Sequence, residues 1–549
     1  MKINRLLPLT GVALALVSLQ AKAINFEGDD YSGSFTSTIG VGVGVRTKSP
    51  DSDLVQSGAT GSGAPAGSLA VGAMNDQGDL NYRKGDVFSQ TIKGTHELVL
   101  KYPSLDLTFM ARGVWISDGA TNTSGITSGD GSIGMPTEAK DELQFKSRML
   151  DLWVAKGFQL NGEPARVKVG KQVINWGESL FFAGGINGTN PVDYQALSTP
   201  GTQVKETLLA QPTIDLTVGL GKGVAVEAYV QTGYQANYFP PVGSYWSTSY
   251  TLGKGASSVY GLTETNARQE GQWGLALRWQ PEATPMNLAA YVANYHDKNP
   301  QLTINSDYSM VWEHPEDRKM YGISMNMPVG EWAMSGELSY RPKDAVSLHT
   351  GVFDATSGVY LCTQNNNGKC WVESERYQFA VNGVYTMNPS NSKPVLDFFK
   401  ADGGNVMFEY TGIYYPGLQE SYNGIPVASG YAAWGMEGDL SDPTLATSQG
   451  TKLSGAIGVD LSVNYDGSLI PGWLITPEIY YQHALNGRTP NVTAQFMQGT
   501  SALSLIVSFM RSSGGWNASV NYSKFMGGST YDNVVRDRDF VGLSANYTF

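Results

Sequence analysis

The last nine residues alternate strictly between two chemistries. Val541, Leu543, Ala545, Tyr547 and Phe549 are apolar; Gly542, Ser544, Asn546 and Thr548 are small or polar. A side-chain period of two belongs to a β-strand with one apolar and one polar face. The pattern recurs along the chain. Phe35, Ile39, Val41, Val43 and Val45 oppose Ser34, Thr36, Thr38 and three glycines. Trp332, Met334, Leu338 and Tyr340 oppose Glu331, Ser335, Glu337 and Arg341. Leu453, Ile457, Val459, Leu461, Val463 and Tyr465 oppose Lys452, Ser454, Asp460, Ser462 and Asn464. A membrane helix needs about 20 mostly apolar residues, and no such run occurs after the first 25 positions. The class is therefore all-β. Two architectures remain: a soluble sandwich with its apolar faces inside, or a membrane barrel with its apolar faces on lipid.

The N-terminus and the composition decide between them. Lys2 and Arg5 precede an apolar run from Leu6 to Leu19, and Ala21-Lys22-Ala23 has the small-x-small form of a cleavage site. The segment 1–23 is predicted to be a cleaved signal peptide, and 24–549 a single outer-membrane β-barrel domain. Loss of Lys2, Arg5 and Lys22 takes the net charge from −12 to −15. That charge excludes non-specific nucleic-acid binding, which depends on a basic surface. Charged residues make up 16% of the chain, against about a quarter in ordinary globular proteins. A secreted, charge-poor chain of dyad strands predicts a transmembrane antiparallel β-barrel in the Gram-negative outer membrane, in contact with lipid and lipopolysaccharide. The terminal strand, with Tyr547 two residues before a final Phe549, resembles the signal by which such chains engage the barrel-assembly machinery.

Eighteen segments carry the pattern, with sixteen as the alternative count: 32–46, 87–102, 105–117, 143–158, 166–175, 205–218, 223–232, 270–280, 286–296, 319–328, 331–341, 375–387, 404–415, 452–465, 472–483, 502–510, 515–526 and 538–549. Short and long connections alternate between them, as short periplasmic turns and long extracellular loops do in outer-membrane barrels. The link 388–403 is the exception, long where a short turn is expected. Pro394 in Asn391-Ser392-Lys393-Pro394 suits a helix start, and a helical turn and an irregular turn both fit.

The run Arg166-Val-Lys-Val-Gly-Lys-Gln-Val-Ile-Asn-Trp-Gly-Glu178 contains a Gly-Lys-Gln strand segment that resembles specific porins. Its continuation through Asn175-Trp176-Gly177-Glu178-Ser179, Asn190-Pro191-Val192-Asp193 and Pro200-Gly201 resembles a proteobacterial outer-membrane family, domain of unknown function 1302. Phe26-Glu27-Gly28 and Lys205-Glu206 fit as well. Members of that family tend to be encoded beside a periplasmic lipid-carrier-like protein and an inner-membrane permease. The resemblance therefore implies a porin-like channel or transporter for a hydrophobic or lipid-like small molecule. The alternative it implies is a structural port that docks with such a carrier or permease in a trans-envelope assembly.

The segment 176–204 is the third long loop, which in porin-like barrels often folds inward. It is a candidate constriction. Trp176, Phe181 and Phe182 offer apolar surface, and Glu178, Asn187, Asn190 and Asp193 offer hydrogen bonds. The same residues also suit an anchor of the loop to the wall, and the two roles are compatible. Strand parity turns a set of charges toward the lumen, because Arg or Lys facing mid-membrane lipid costs about 2–4 kcal/mol. Of these, Arg112, Arg148 and Arg376 are the candidate substrate contacts, with a salt-bridged wall as the competing role. Cys362 and Cys370 flank a turn-rich stretch of a secreted chain and are predicted to form a disulfide. The five histidines are scattered, so no metal site and no cofactor is expected. A barrel enzyme would need a nucleophile or an activated water beside a His, and no such set is visible; the expectation is a non-enzyme.

Overall fold

A computed structural model describes residues 23–51, 54, 78, 81–121, 135–199, 206–248, 251–256, 262–307, 309–349, 353–354, 359–429, 449–493, 495–529 and 532–549. Residues 1–22 of the expected signal peptide, much of 47–86, and Pro200, Gly201 and Lys205 lie outside these. Eighteen strands form one closed antiparallel barrel. They are β1 (Ser32–Arg46), β2 (Val87–Tyr102), β3 (Leu107–Asp118), β4 (Lys146–Leu160), β5 (Glu163–Gln172), β6 (Gln211–Gly221), β7 (Val224–Gln231), β8 (Gln272–Trp279) and β9 (Asn287–Tyr295), followed by β10 (Arg318–Val329), β11 (Trp332–Ser347), β12 (Trp371–Met387), β13 (Gly403–Tyr414), β14 (Leu453–Asp466), β15 (Trp473–Asn486), β16 (Ser501–Arg511), β17 (Trp516–Met526) and β18 (Phe540–Thr548). Each strand pairs with its sequence neighbours, and β18 returns to β1 in the register Thr38↔Thr548 to Arg46↔Phe540. The main chain of Phe549 exchanges two hydrogen bonds with Ser37, of 2.7 and 2.8 Å, at the end of this seam. Residues Ile24–Glu27 pair with Ser32–Phe35 and carry the ladder on from there.

Side-chain alternation places the barrel in its solvent. Along β10, Tyr321, Ile323 and Met325 are exposed while Met320 and Ser324 are buried; along β14, Leu453 and Leu461 are exposed while Ser454 and Asp460 are buried. Apolar side chains thus face outward and polar ones inward, the arrangement of a membrane barrel. Among the described residues no helix is long and apolar enough to cross a membrane, so strands alone span it.

One end carries short connections. Asn161-Gly162 and Lys222-Gly223 make two-residue hairpins, with all four residues at positive φ, the conformation that matches the twist of a tight hairpin. The other end carries the long connections. There β11 and β12 run well past their expected limits, to Ser347 and back to Trp371, with an irregular register between Arg341 and Asp344. The strand expected at 205–218 starts only at Gln211, because Leu208 is taken by an isolated bridge to Val192. The link 388–403 contains a helix, α1 (Lys393–Phe399), with Pro394 in its first turn.

The long connections also build an apolar core of their own. Leu302, Ile304, Trp312, Val346, Leu348, Ile425, Val427 and Phe496 pack together in it. Cys362 and Cys370 are joined by a disulfide inside this cluster.

Candidate functional site

The chain between β5 and β6 turns into the barrel and runs along the inner wall. Its course is set by inward-facing side chains of strands distant in sequence. Trp176 is buried against Tyr229 of β7 and Tyr291 of β9, with ring centroids 4.9 and 5.2 Å away, and its Nε1–H donates to Glu227 Oε1 at 2.9 Å. Gly274 of β8 leaves room for the indole: a Cβ there would lie 2.6 Å from it. Gly177 follows at φ +92, a left-handed turn that favours glycine.

Two carboxylates then take up the loop's main chain. Glu337 of β11 accepts the amides of Glu178 (2.6 Å) and Ile186 (3.0 Å). Glu409 of β13 accepts those of Leu180 and Phe181, both at 2.6 Å. Each carboxylate is buried, and hydrogen bonds to a charged acceptor are the stronger kind. Carbonyls of the loop are held in return. Arg341 donates to Gly185 O (2.7 Å), Asn382 to Glu178 O (2.7 Å), and Gln378 to Ala183 O (3.1 Å).

The candidate residues occupy distinct places along this course. The Glu178 side chain accepts from Asn326 Nδ2 at 3.1 Å on β10. Phe181 packs on Tyr480 of β15 at 5.2 Å and over Gly458 of β14. Phe182 meets Phe496 edge-on at 5.2 Å, joining the loop to the apolar core of the long-loop end. Asn190 closes the loop's base: its amide donates to Ile174 O at 2.6 Å and to Asn187 Oδ1. Asp193 caps the short helix Tyr194–Ser198 by accepting from Ala196 N at 2.7 Å. It also pairs with Arg148 and, at 3.4 Å, with Lys146.

The three candidate arginines all have partners. Arg112 pairs with Asp151, and with Glu97 at 3.8 Å. Arg148 pairs with Asp193 and lies over the Tyr238 ring. Arg376 bonds Gln378 and stands 3.6 Å from Asp344. These three therefore sit in a salt-bridged wall. Arg148 additionally holds the returning limb of the loop.

Other lumen residues escaped the sequence reading. Glu337 and Glu409 were legible as inward charges by parity, but not as partners of this loop. Leu180 had no sequence signal. It is 45% exposed on a segment enclosed by the barrel, beside Phe181 on the Glu409 latch, so it offers apolar surface to the lumen. Inward charges of both signs line the wall. Lys93, Arg112, Lys146, Arg148 and Lys168 stand on β2–β5 with Glu97 and Asp151. Glu337, Glu409, Asp460 and Glu478 stand on β11 and β13–β15, with Arg341 on β11 and Arg376 on β12.

The sequence profile of the family described as "Protein of unknown function (DUF1302)" matches residues 5–549. No curated protein matches the sequence. Among solved structures, the chain is similar to OccAB1 of Acinetobacter baumannii at 13% identity and a TM-score of 0.44, over 96% of this chain and 99% of that one. It is similar to OpdK of Pseudomonas aeruginosa, crystallised with vanillate, at 10% identity and a TM-score of 0.42, over 94% and 98%. It is also similar to a BenF-like porin of Pseudomonas fluorescens at 10% identity and a TM-score of 0.41, over 94% and 98%.

Proposed function

The chain belongs to the family described as protein of unknown function DUF1302, and on that premise we propose that it is an outer-membrane channel for a small hydrophobic or lipid-like molecule, constricted at the loop between β5 and β6. The observation that carries this reading is the path of the loop. It follows the wall from β7 round to β15, narrowing an eighteen-strand lumen that would otherwise hold an aqueous channel. Leu180 on this segment is exposed and Phe181 half-buried, so a solute passing the loop meets apolar surface. The Glu337 and Glu409 carboxylates hold the narrowing in place without facing the solute as free charges.

The test is reconstitution of the mature protein in lipid vesicles. The expected result is solute-dependent conductance or a retained hydrophobic ligand, and a changed conductance in Trp176→Ala/Glu178→Ala with the barrel still folded. Neither conductance nor ligand in the folded protein would sink the channel reading. Capture of a periplasmic carrier by that same protein would then favour the docking port.

A further inference from the structure

The helix α1 stands at the short-turn end, which in barrels of this kind is the periplasmic end. Its two ends are tied to the lipid-facing side of the wall. At the N-terminal end, the Ser392 hydroxyl lies 3.1 Å from the Tyr385 hydroxyl. Tyr385 shares its face of β12 with the exposed Val381. At the C-terminal end, the Tyr465 hydroxyl donates to Phe399 O at 2.9 Å. Tyr465 shares its face of β14 with the exposed Leu461. Asp402 then fastens the exit of the helix to the next turn by accepting from Asp466 N and Ser468 Oγ, both at 2.8 Å. The helix is thus strapped to the outside of the rim, not laid across the lumen mouth.

Its exposed face is apolar. At 100° per residue, Val395, Phe398 and Phe399 fall on one side, while Lys393 and Asp397 form an i,i+4 ion pair on the other. Leu396 is the side chain buried against the barrel, and Phe398 is 80% exposed. The neighbouring turn adds exposed Leu469 and Ile470. Around the rim, Leu160, Leu220 and Val329, at the outward ends of β4, β6 and β10, are exposed as well. The lipid-facing belt of the barrel therefore reaches the level of the turns, and the apolar face of α1 continues it.

We infer that α1 is an interfacial anchor whose Val395–Phe398–Phe399 face is seated in the periplasmic-leaflet phospholipid. An amphipathic helix in this position buries its apolar side about 5–10 Å into the headgroup–acyl boundary and keeps its charged side in water. Lys393 and Asp397 then face the periplasm.

The test uses single-cysteine spin labelling of the full protein in phosphatidylethanolamine/phosphatidylglycerol vesicles, where the native cysteines are held in their disulfide. Labels are placed by Phe398→Cys and Asp397→Cys, with Leu461→Cys as the lipid-belt reference. The expected result is a ratio of oxygen to water-soluble nickel accessibility at 398 close to that at 461 and several-fold above that at 397. Equal nickel accessibility at 398 and 397 would overturn the inference and leave the face free for a soluble partner. Val395→Cys should read as Phe398→Cys does, and serves if the latter fails to assemble. The channel reading is scored separately, since these accessibilities do not depend on conductance.

Discussion

Glu337 and Glu409 decide where the third loop lies, and they do so through charge and not through bulk. Each accepts two main-chain amides of the loop, and a hydrogen bond to a charged group contributes about 1.5–3 kcal/mol. Replacing Glu409 by Gln keeps the size and removes the charge. The Leu180 and Phe181 amides share Oε2 while the Ser179 and Thr411 hydroxyls use Oε1, and a side-chain amide leaves one acceptor oxygen for all four donors. Glu409→Gln should leave the barrel's unfolding midpoint nearly unchanged, because the β13 ladder stays intact. Single-channel recordings should show a noisier or larger conductance as the loop detaches, and the Glu337→Gln/Glu409→Gln pair should exceed either single change. An unaltered trace in the double variant would mean that Trp176 and its aromatic partners hold the loop without help. A second residue-scale effect involves His349, just beyond β11 and buried. Burial holds its imidazole down from 6.5 to about 4. The unfolded chain takes up the proton first, so between pH 6.5 and 4 it binds more protons than the folded chain. Stability from this site is complete above pH 6.5 and falls as pH drops toward 4, by about 3 kcal/mol in all. His349→Leu should flatten that part of the stability–pH curve, as measured by denaturant titration at each pH.

At the scale of elements, the strands and the loops were unequally legible. A strand crossing lipid must repeat every second residue, so each of the eighteen left its dyad in the sequence. Their ends fell within three residues of expectation where the turn came at once, as at Asn161-Gly162 and Lys222-Gly223. They were lost where β11 and β12 leave the membrane and enter the loop core, because both faces are then covered and the alternation ends. The core itself was not legible. Leu302 and Trp312 come from one connection, Val346 from the end of β11, and Ile425 and Phe496 from two further connections, with no common period. The same limit applies to the site. Trp176 and Glu178 were marked by the motif, but their partners Tyr229, Tyr291, Glu227 and Asn326 are set by which strands stand opposite, a long-range fact. The Cys362–Cys370 bridge belongs to this element scale. By chain-entropy arithmetic a loop this short gains about 2–3 kcal/mol from closure, and the bridge sits in the loop core and outside the barrel ladder. Cys362→Ser/Cys370→Ser should speed protease cutting within 342–374 while leaving the barrel resistant to heat in detergent. Loss of the folded barrel in that variant would show that the loop core and the barrel fold as one unit.

Over the whole molecule, lipid outside and water inside give neighbouring residues opposite sensitivities. Leu505 is exposed outward on β16, and Ser504 beside it faces inward, where its hydroxyl lies 2.9 Å from that of Ser523. Leu505→Arg should cost about 2–4 kcal/mol in vesicles, and Ser504→Arg much less, as read from urea unfolding of the reconstituted protein. The closing seam has a consequence of a different kind. Thr38 and Thr548 are 510 positions apart, so the seam that makes the sheet endless joins strands from opposite ends of the sequence. Until it forms, the sheet has two open edges with unpaired main-chain groups, the form most prone to pair with another chain. Assembly therefore carries its hazard to the last strand, and a chain halted before β18 is a template for aggregation, not a smaller pore.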